Sequence, residues 1–278
     1  MSYKIIGDSC LDLTGDMKKN TRYQMIPLTL QVDDTMIIDD ETFDQNAFIQ
    51  LVKASPNCPK SACPSPEAFK KAYECEEEDV YVITLSSHLS GSYNSALVGK
   101  DLYEEEHGHK NILVIDSESA SAGELNLALY IDELYRAGLG FEEVSKEILK
   151  LRDQQHTYFV IDSLEPLRKN GRLTGLQAFF ATALNIKPVM GADHGVIIKL
   201  DQARGISKAF GRMCRIATKE AKEPSAKRAV IAHCNCPDRA EQVKAELEKC
   251  GDYREIVITE TAGVATMYAG DGGIVMAI

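Results

Sequence analysis

Three short apolar runs, each ending in a turn crowded with serine and aspartate, constrain this chain more than any other feature. They are Tyr3-Lys4-Ile5-Ile6-Gly7, Val80-Tyr81-Val82-Ile83-Thr84 and Ile112-Leu113-Val114-Ile115. Runs this short and this rich in apolar residues suit buried parallel strands. The turns after them are Asp8-Ser9-Cys10, Ser86 through Ser92, and Asp116 through Ser121. In an open α/β sheet such turns lie at the carboxyl edge, where ligands bind.

Helical patterns follow these turns. Residues 122–137 are rich in Ala, Leu and Glu and end at Gly138, and in 142–155 Val144, Ile148 and Leu151 share one helical face. After Tyr158-Phe159-Val160-Ile161 the pattern changes. Lys187-Pro188-Val189-Met190 and Val196-Ile197-Ile198-Lys199, joined through Asp193-His194-Gly195, read as a hairpin. Arg228 through Ala232 is a further strand, and a helix starts near Pro237 and stops at Gly251. The expectation is an α/β fold in two domains. Residues 1–156 form a parallel sheet flanked by helices, and 157–278 form a mixed-sheet α/β domain.

Composition narrows the function. The 278 residues carry 31 Lys+Arg and 42 Asp+Glu, so the net charge is 31 − 42 = −11. That balance argues against a general nucleic-acid binder, whose affinity rests on neutralising phosphates. No apolar stretch reaches the length of a membrane span, and the N-terminus has no signal-peptide core, so a cytoplasmic location is expected. The eight cysteines then read as reduced thiols. His233, Cys234 and Cys236 form the one local cluster of metal-ligating types, but no second pair stands at zinc spacing, so no metal is expected. The charge is uneven: residues 164–228 hold 13 Lys+Arg against 5 Asp+Glu, a local +8.

Dinucleotide, Walker and nucleophile-elbow motifs are all missing. Asp8 and Asp12 stand four apart, whereas an aspartyl-nucleophile phosphatase needs its carboxylates two apart. Asp12 therefore reads as a cap for a helix entering at Leu13-Thr14. A small phosphatase or hydrolase using Asp8 and Asp12, or a turn serine, stays open as the enzymatic alternative. Serine hydroxyls can donate to a carboxylate without placing charge in a pocket. They can equally cap helix N-termini, which is the reading for Ser9 and Ser117.

A set of motifs in register decides between these. Asp8-Ser9-Cys10-Leu11-Asp12-Leu13 opens it, followed by Ile26-Pro27-Leu28 with Asp39-Asp40, and by Ser61-Ala62-Cys63-Pro64-Ser65. Ser86-Ser87-His88-Leu89-Ser90-Gly91-Ser92-Tyr93-Asn94-Ser95-Ala96 is the most specific block. Asp116-Ser117, Gly171-Arg172-Leu173, Ile186-Lys187-Pro188 and Arg204 complete it. In this order they resemble the DegV family, which includes the fatty-acid-binding subunits of bacterial fatty acid kinase.

The resemblance implies a two-domain protein that holds one long-chain fatty acid as ligand, uses no cofactor and has no catalytic group. The acyl chain would enter a tunnel in the C-terminal domain. The carboxylate would meet Ser61 and Ser90, with Ser92 at the adjoining position, and Tyr268 where the family carries a histidine. Tyr268 can donate but cannot become cationic near neutral pH, and Asp271 adds a negative charge nearby. That departure keeps a different lipid or apolar acid open as cargo. Arg172 and Arg204 match family positions implying contact with a phosphate or with a separate ATP-dependent fatty acid kinase. Arg204, Lys208, Arg212 and Arg215 fall at helical spacing, and the last three read as a solvated face.

Overall fold

The computed structural model describes residues 2–173 and 185–278. The first half runs β1 (Tyr3–Asp8), β2 (Tyr23–Ile26), β3 (Thr29–Val32), β4 (Thr35–Ile38), α1 (Gln45–Ala54), β5 (Lys60–Ala62) and α2 (Pro66–Tyr73). It continues with β6 (Asp79–Thr84), α3 (Ser92–His107), β7 (Asn111–Asp116), α4 (Ala122–Arg136) and α5 (Phe141–Gln154). The second half holds β8 (Thr157–Val160), α6 (Glu165–Lys169), β9 (Ile186–Asp193), β10 (Val196–Arg204) and α7 (Ile206–Ala221). It ends with β11 (Arg228–His233), α8 (Pro237–Cys250), β12 (Glu255–Glu260), α9 (Gly263–Ala269) and β13 (Ile274–Ala277).

The three apolar runs pair as parallel neighbours in a sheet of order β2-β1-β6-β7. Their serine-rich turns therefore emerge along one edge. The second sheet, β10-β9-β8-β13-β11-β12, is mixed: only β11 and β12 run parallel. The hairpin forms where its pattern placed it, and His194 and Gly195 both take positive φ at its tip. Two such residues make the turn whose twist matches the flanking strands. A third, antiparallel sheet of order β4-β3-β5 carries Ser61, which pairs with Leu30.

Helix α4 sits between the two larger sheets. Every residue from Ala122 to Ala128 is buried. Leu125, Leu127 and Ile131 pack with Ile5, Ile83 and Ile115 of the first sheet, and with Val230, Ala232 and Ala277 of the second. A helix apolar on both sides is the mark of a position inside a core.

Three local readings are corrected. No helix begins at Leu13-Thr14: Asp12 instead accepts from the Ser121 hydroxyl (2.5 Å) and from the backbone N–H of Ala262 (2.6 Å). Ser9 caps no helix, because its hydroxyl donates to Asp39 (2.8 Å) and accepts from Leu28 N–H (3.0 Å). Ser117 caps its own turn, accepting from Ser119 N–H at 3.1 Å. The helical run of basic residues also begins later than its spacing implied: Arg204 ends β10, while exposed Lys208, Arg212 and Arg215 lie on α7. No helix of the described residues is long and apolar enough to cross a membrane.

Candidate functional site

The carboxyl edge of the parallel sheet faces the mixed sheet and α9 across a cavity. Its walls come from both halves of the chain. Leu28, Leu85 and Leu89 contribute from one side, Phe159, Ile161 and Val264 from the other. A mostly apolar lining carrying a smaller set of polar groups suits an apolar ligand with a polar end.

Glu118, Ser119, Ser121 and Thr157 belong to the polar part of the lining, and a second polar group gathers around Tyr268. Ser61 on the edge strand β5 lies 3.2 Å, hydroxyl to hydroxyl, from Tyr268 on α9. The Arg172 guanidinium stands 6.0 Å from the centre of the Tyr268 ring, and its Nε donates to the Leu89 carbonyl at 3.1 Å. Ser90, next in the chain, lines the same cavity. Four residues from four distant segments therefore meet: Ser61 on β5, Ser90 in the turn after β6, Arg172 after α6, and Tyr268 on α9. Three hydroxyls and a guanidinium are donors suited to a carboxylate or phosphate oxygen.

Not every expected residue joins them. Ser92 opens α3, is fully buried, and approaches the Ser90 hydroxyl at 3.1 Å. It is not among the described residues that line the cavity. Arg204 is exposed at the end of β10, outside the described lining, and stands apart from Arg172, which is in it. Asp271 turns away: its carboxylate pairs with Lys53 at 2.7 Å and accepts from Asn235 at 3.0 Å. Those partners hold its pKa below the usual carboxylate value, Lys53 first among the causes.

Beneath the cavity floor lie buried acids. Asp8 accepts from the backbone N–H groups of Cys10 and Leu85, each at 3.0 Å. Burial pushes its pKa up to about 6 and that of Asp12 up to about 7, against the pull of their donors. Glu124, on the all-buried stretch of α4, is raised well above its ordinary value for the same reason, with Asp8 adding to it. Neither Asp8 nor Asp12 is among the described lining residues. Both carboxylates are engaged in holding backbone, which gives the enzymatic alternative no reactive pair facing the cavity. The described residues also contain no group of three or more His, Cys, Asp or Glu placed to hold a metal ion. Cys234 is buried, and His233 accepts from Cys236 N–H at 3.3 Å.

A family model described as DegV matches residues 2–278, almost the whole chain. A DegV domain-containing protein of Streptococcus pyogenes serotype M1 is 35% identical over 99% of both chains. The chain belongs to the DegV family. Among solved structures, a DegV family protein from Ruminococcus gnavus ATCC 29149, solved with vaccenic acid, is 43% identical with full coverage of both chains and a TM-score of 0.97. The Streptococcus pneumoniae Fatty Acid Kinase (Fak) B3 protein, loaded with linoleic acid, is 32% identical, covers 100% of this chain and 99% of its own, and gives a TM-score of 0.90. The parallel sheet, the mixed sheet and their flanking helices are thus those of DegV proteins.

Sequence reasoning missed one residue that supports the helix carrying Tyr268. Asp39 was noted only as part of a motif, yet it is buried against α9, the helix that carries Tyr268. Its signal was present: an aspartate beside a second one, at the end of an otherwise apolar hairpin strand.

Proposed function

We propose that this protein binds a long-chain fatty acid, with the acyl chain in the inter-sheet cavity and the carboxylate at Ser61, Ser90, Tyr268 and Arg172. The observation that carries this reading is the gathering of those four donors in a cavity whose lining is mostly apolar. Two relatives above 30% identity hold a fatty acid in their solved structures, which supports the same cargo here. The energetics agree. Burying a methylene yields about 0.8 kcal/mol, so a sixteen-carbon chain gains on the order of 12 kcal/mol before ordering costs. Hydrogen bonds to a charged group contribute about 1.5–3 kcal/mol each, so they orient the carboxylate and spare it an unpaired burial.

In this reading the chain supplies no catalytic group and presents its ligand to a separate ATP-dependent fatty acid kinase. A carboxylate oxygen attacks the γ-phosphorus of ATP, the bond to the ADP oxygen breaks, and an acyl phosphate forms. The 32% identity to the S. pneumoniae Fak B3 protein supports that partnership. Arg172, at the edge of the donor cluster, is placed to meet a phosphate; Arg204, exposed on β10, is offered as a contact to the kinase.

Mass spectrometry of lipid extracted from the purified protein tests the cargo directly. A stoichiometric long-chain fatty acid is expected. A preparation that carries none, and whose melting temperature does not rise on adding oleic acid, would overturn the reading.

A further inference from the structure

Helix α9 is short, and its first backbone donors are met from the other half of the molecule. Ala262 N–H donates to Asp12 at 2.6 Å. Gly263 N–H and Val264 N–H donate to the two oxygens of Asp39, each at 2.7 Å. The Ser9 hydroxyl supplies Asp39 with a third donor at 2.8 Å, and the carboxylate is 2% exposed. Asp12 is 1% exposed and is itself held by Ser121. Helices are ordinarily capped by a neighbour in sequence; here the caps lie more than two hundred residues upstream.

The fit is close. A Cβ built on Gly263 would lie 2.5 Å from the Asp39 Oδ1 and 2.6 Å from its Cγ. Only glycine lets the carboxylate approach the helix end this closely. Less than two turns of helix separate that contact from Tyr268, whose hydroxyl reaches Ser61 of the N-terminal half. Gln45 of α1 adds bonds to the Thr261 carbonyl (2.8 Å) and Thr266 hydroxyl (3.1 Å).

We infer that Asp39, assisted by Asp12, is a positioning residue for the headgroup site: by capping α9 across the interface it sets the reach of Tyr268 toward Ser61 and the bound carboxylate. The inference rests on the fatty-acid reading above. Buried charge-assisted hydrogen bonds to backbone N–H groups are strong and directional, so they fix a short helix better than apolar packing alone. Asp39 contacts no ligand atom in this scheme and acts through Tyr268.

The test compares oleic acid with methyl oleate, which keeps the tail and removes the anionic headgroup. Displacement of a fluorescent fatty-acid analogue gives both affinities. Wild-type protein is expected to prefer the acid, and Tyr268→Phe to lower that preference by about tenfold. Asp39→Asn is expected to lower the preference by about tenfold while leaving methyl oleate binding unchanged. In the Asp39→Asn, Tyr268→Phe double variant the preference should fall no further than in the more affected single variant, since both losses run through one contact. Where Asp39→Asn fails to fold, Gly263→Ala displaces the same contact from the helix side and is expected to give the same selective loss. Equal loss of acid and ester binding, an unchanged preference, or additive effects in the double variant would each overturn the inference while leaving the cargo intact. Wild-type protein that takes up neither ligand would overturn the fatty-acid reading, and the inference with it.

Discussion

Lys53 on α1 and Asp271, just past α9, form an ion pair at 2.7 Å, and Asp271 is not among the described residues that line the cavity with Tyr268. By sequence alone, Asp271 stood as a negative charge in the path of a carboxylate. Both side chains are substantially exposed, and exposed pairs contribute about 0–1 kcal/mol. Asp271→Asn is therefore expected to change unfolding free energy by less than about 1 kcal/mol and to leave fatty-acid affinity within a factor of about two. Denaturant titration and a binding curve check both. A large gain in affinity would place the charge back at the site.

Tyr268→Phe removes the phenol that approaches Ser61 and keeps the ring under Arg172. Oleic acid affinity is expected to fall by about tenfold, the loss of one hydrogen bond to a charged group, with little effect on melting temperature of the ligand-free protein. Calorimetric titration measures it. Tyr268→His should retain binding and add a pH dependence near the histidine pKa, which the tyrosine lacks.

Asp8 is fully buried and its pKa stands near 6 in the folded protein, above the ordinary 3.8. The folded form then holds its proton more tightly than the unfolded one. Its effect on stability is neutral below pH 4 and turns increasingly unfavourable as pH rises through 6, by about 3 kcal/mol in all. Asp8→Asn loses backbone contacts but also loses this slope. Urea unfolding between pH 4 and 7.5 should show the wild-type minus variant difference shifting against the wild type as pH rises. A difference that stays flat would mean Asp8 titrates normally.

Arg228 is almost wholly buried on β11, donates to Glu133 of α4 and, at 2.7 Å, to Glu255 of β12, and lies 4.8 Å from the Tyr130 ring centre. Arg228→Ala strips all three contacts from the seam between α4 and the mixed sheet. The expected loss is about 3 kcal/mol, read as a lower urea midpoint. A loss below about 1 kcal/mol would show the pair to be no stronger than a surface one.

Much of this was legible beforehand, because local signals suffice for buried parallel strands. Ile5, Val82 and Ile115 could be placed in one sheet from run length and from the turns behind them. The two-residue tip at His194-Gly195 likewise announces its own hairpin. What could not be read was anything set by a distant partner. Nothing near Ile274 says that β13 returns to lie between β8 and β11. Asp12 looked like a local cap because its true acceptor geometry depends on Ala262, far along the chain. The donor cluster was named from motifs, yet that Ser92 is turned inward while Arg172 lines the cavity follows only from packing. Asp271 shows the same limit: a charge has no direction until its counter-ion is known.

The position of α4 bears on how this molecule can be taken apart. Residue 156 falls neatly between the strands of the two larger sheets, and a cut there would appear to separate them cleanly. Yet Leu125, Leu127 and Ile131 are sealed on one side by each sheet. Either fragment, made alone, would carry a bare apolar flank into water and invite self-association. The two halves are thus partners in one folding event, joined by a shared middle layer, and heating should melt them together.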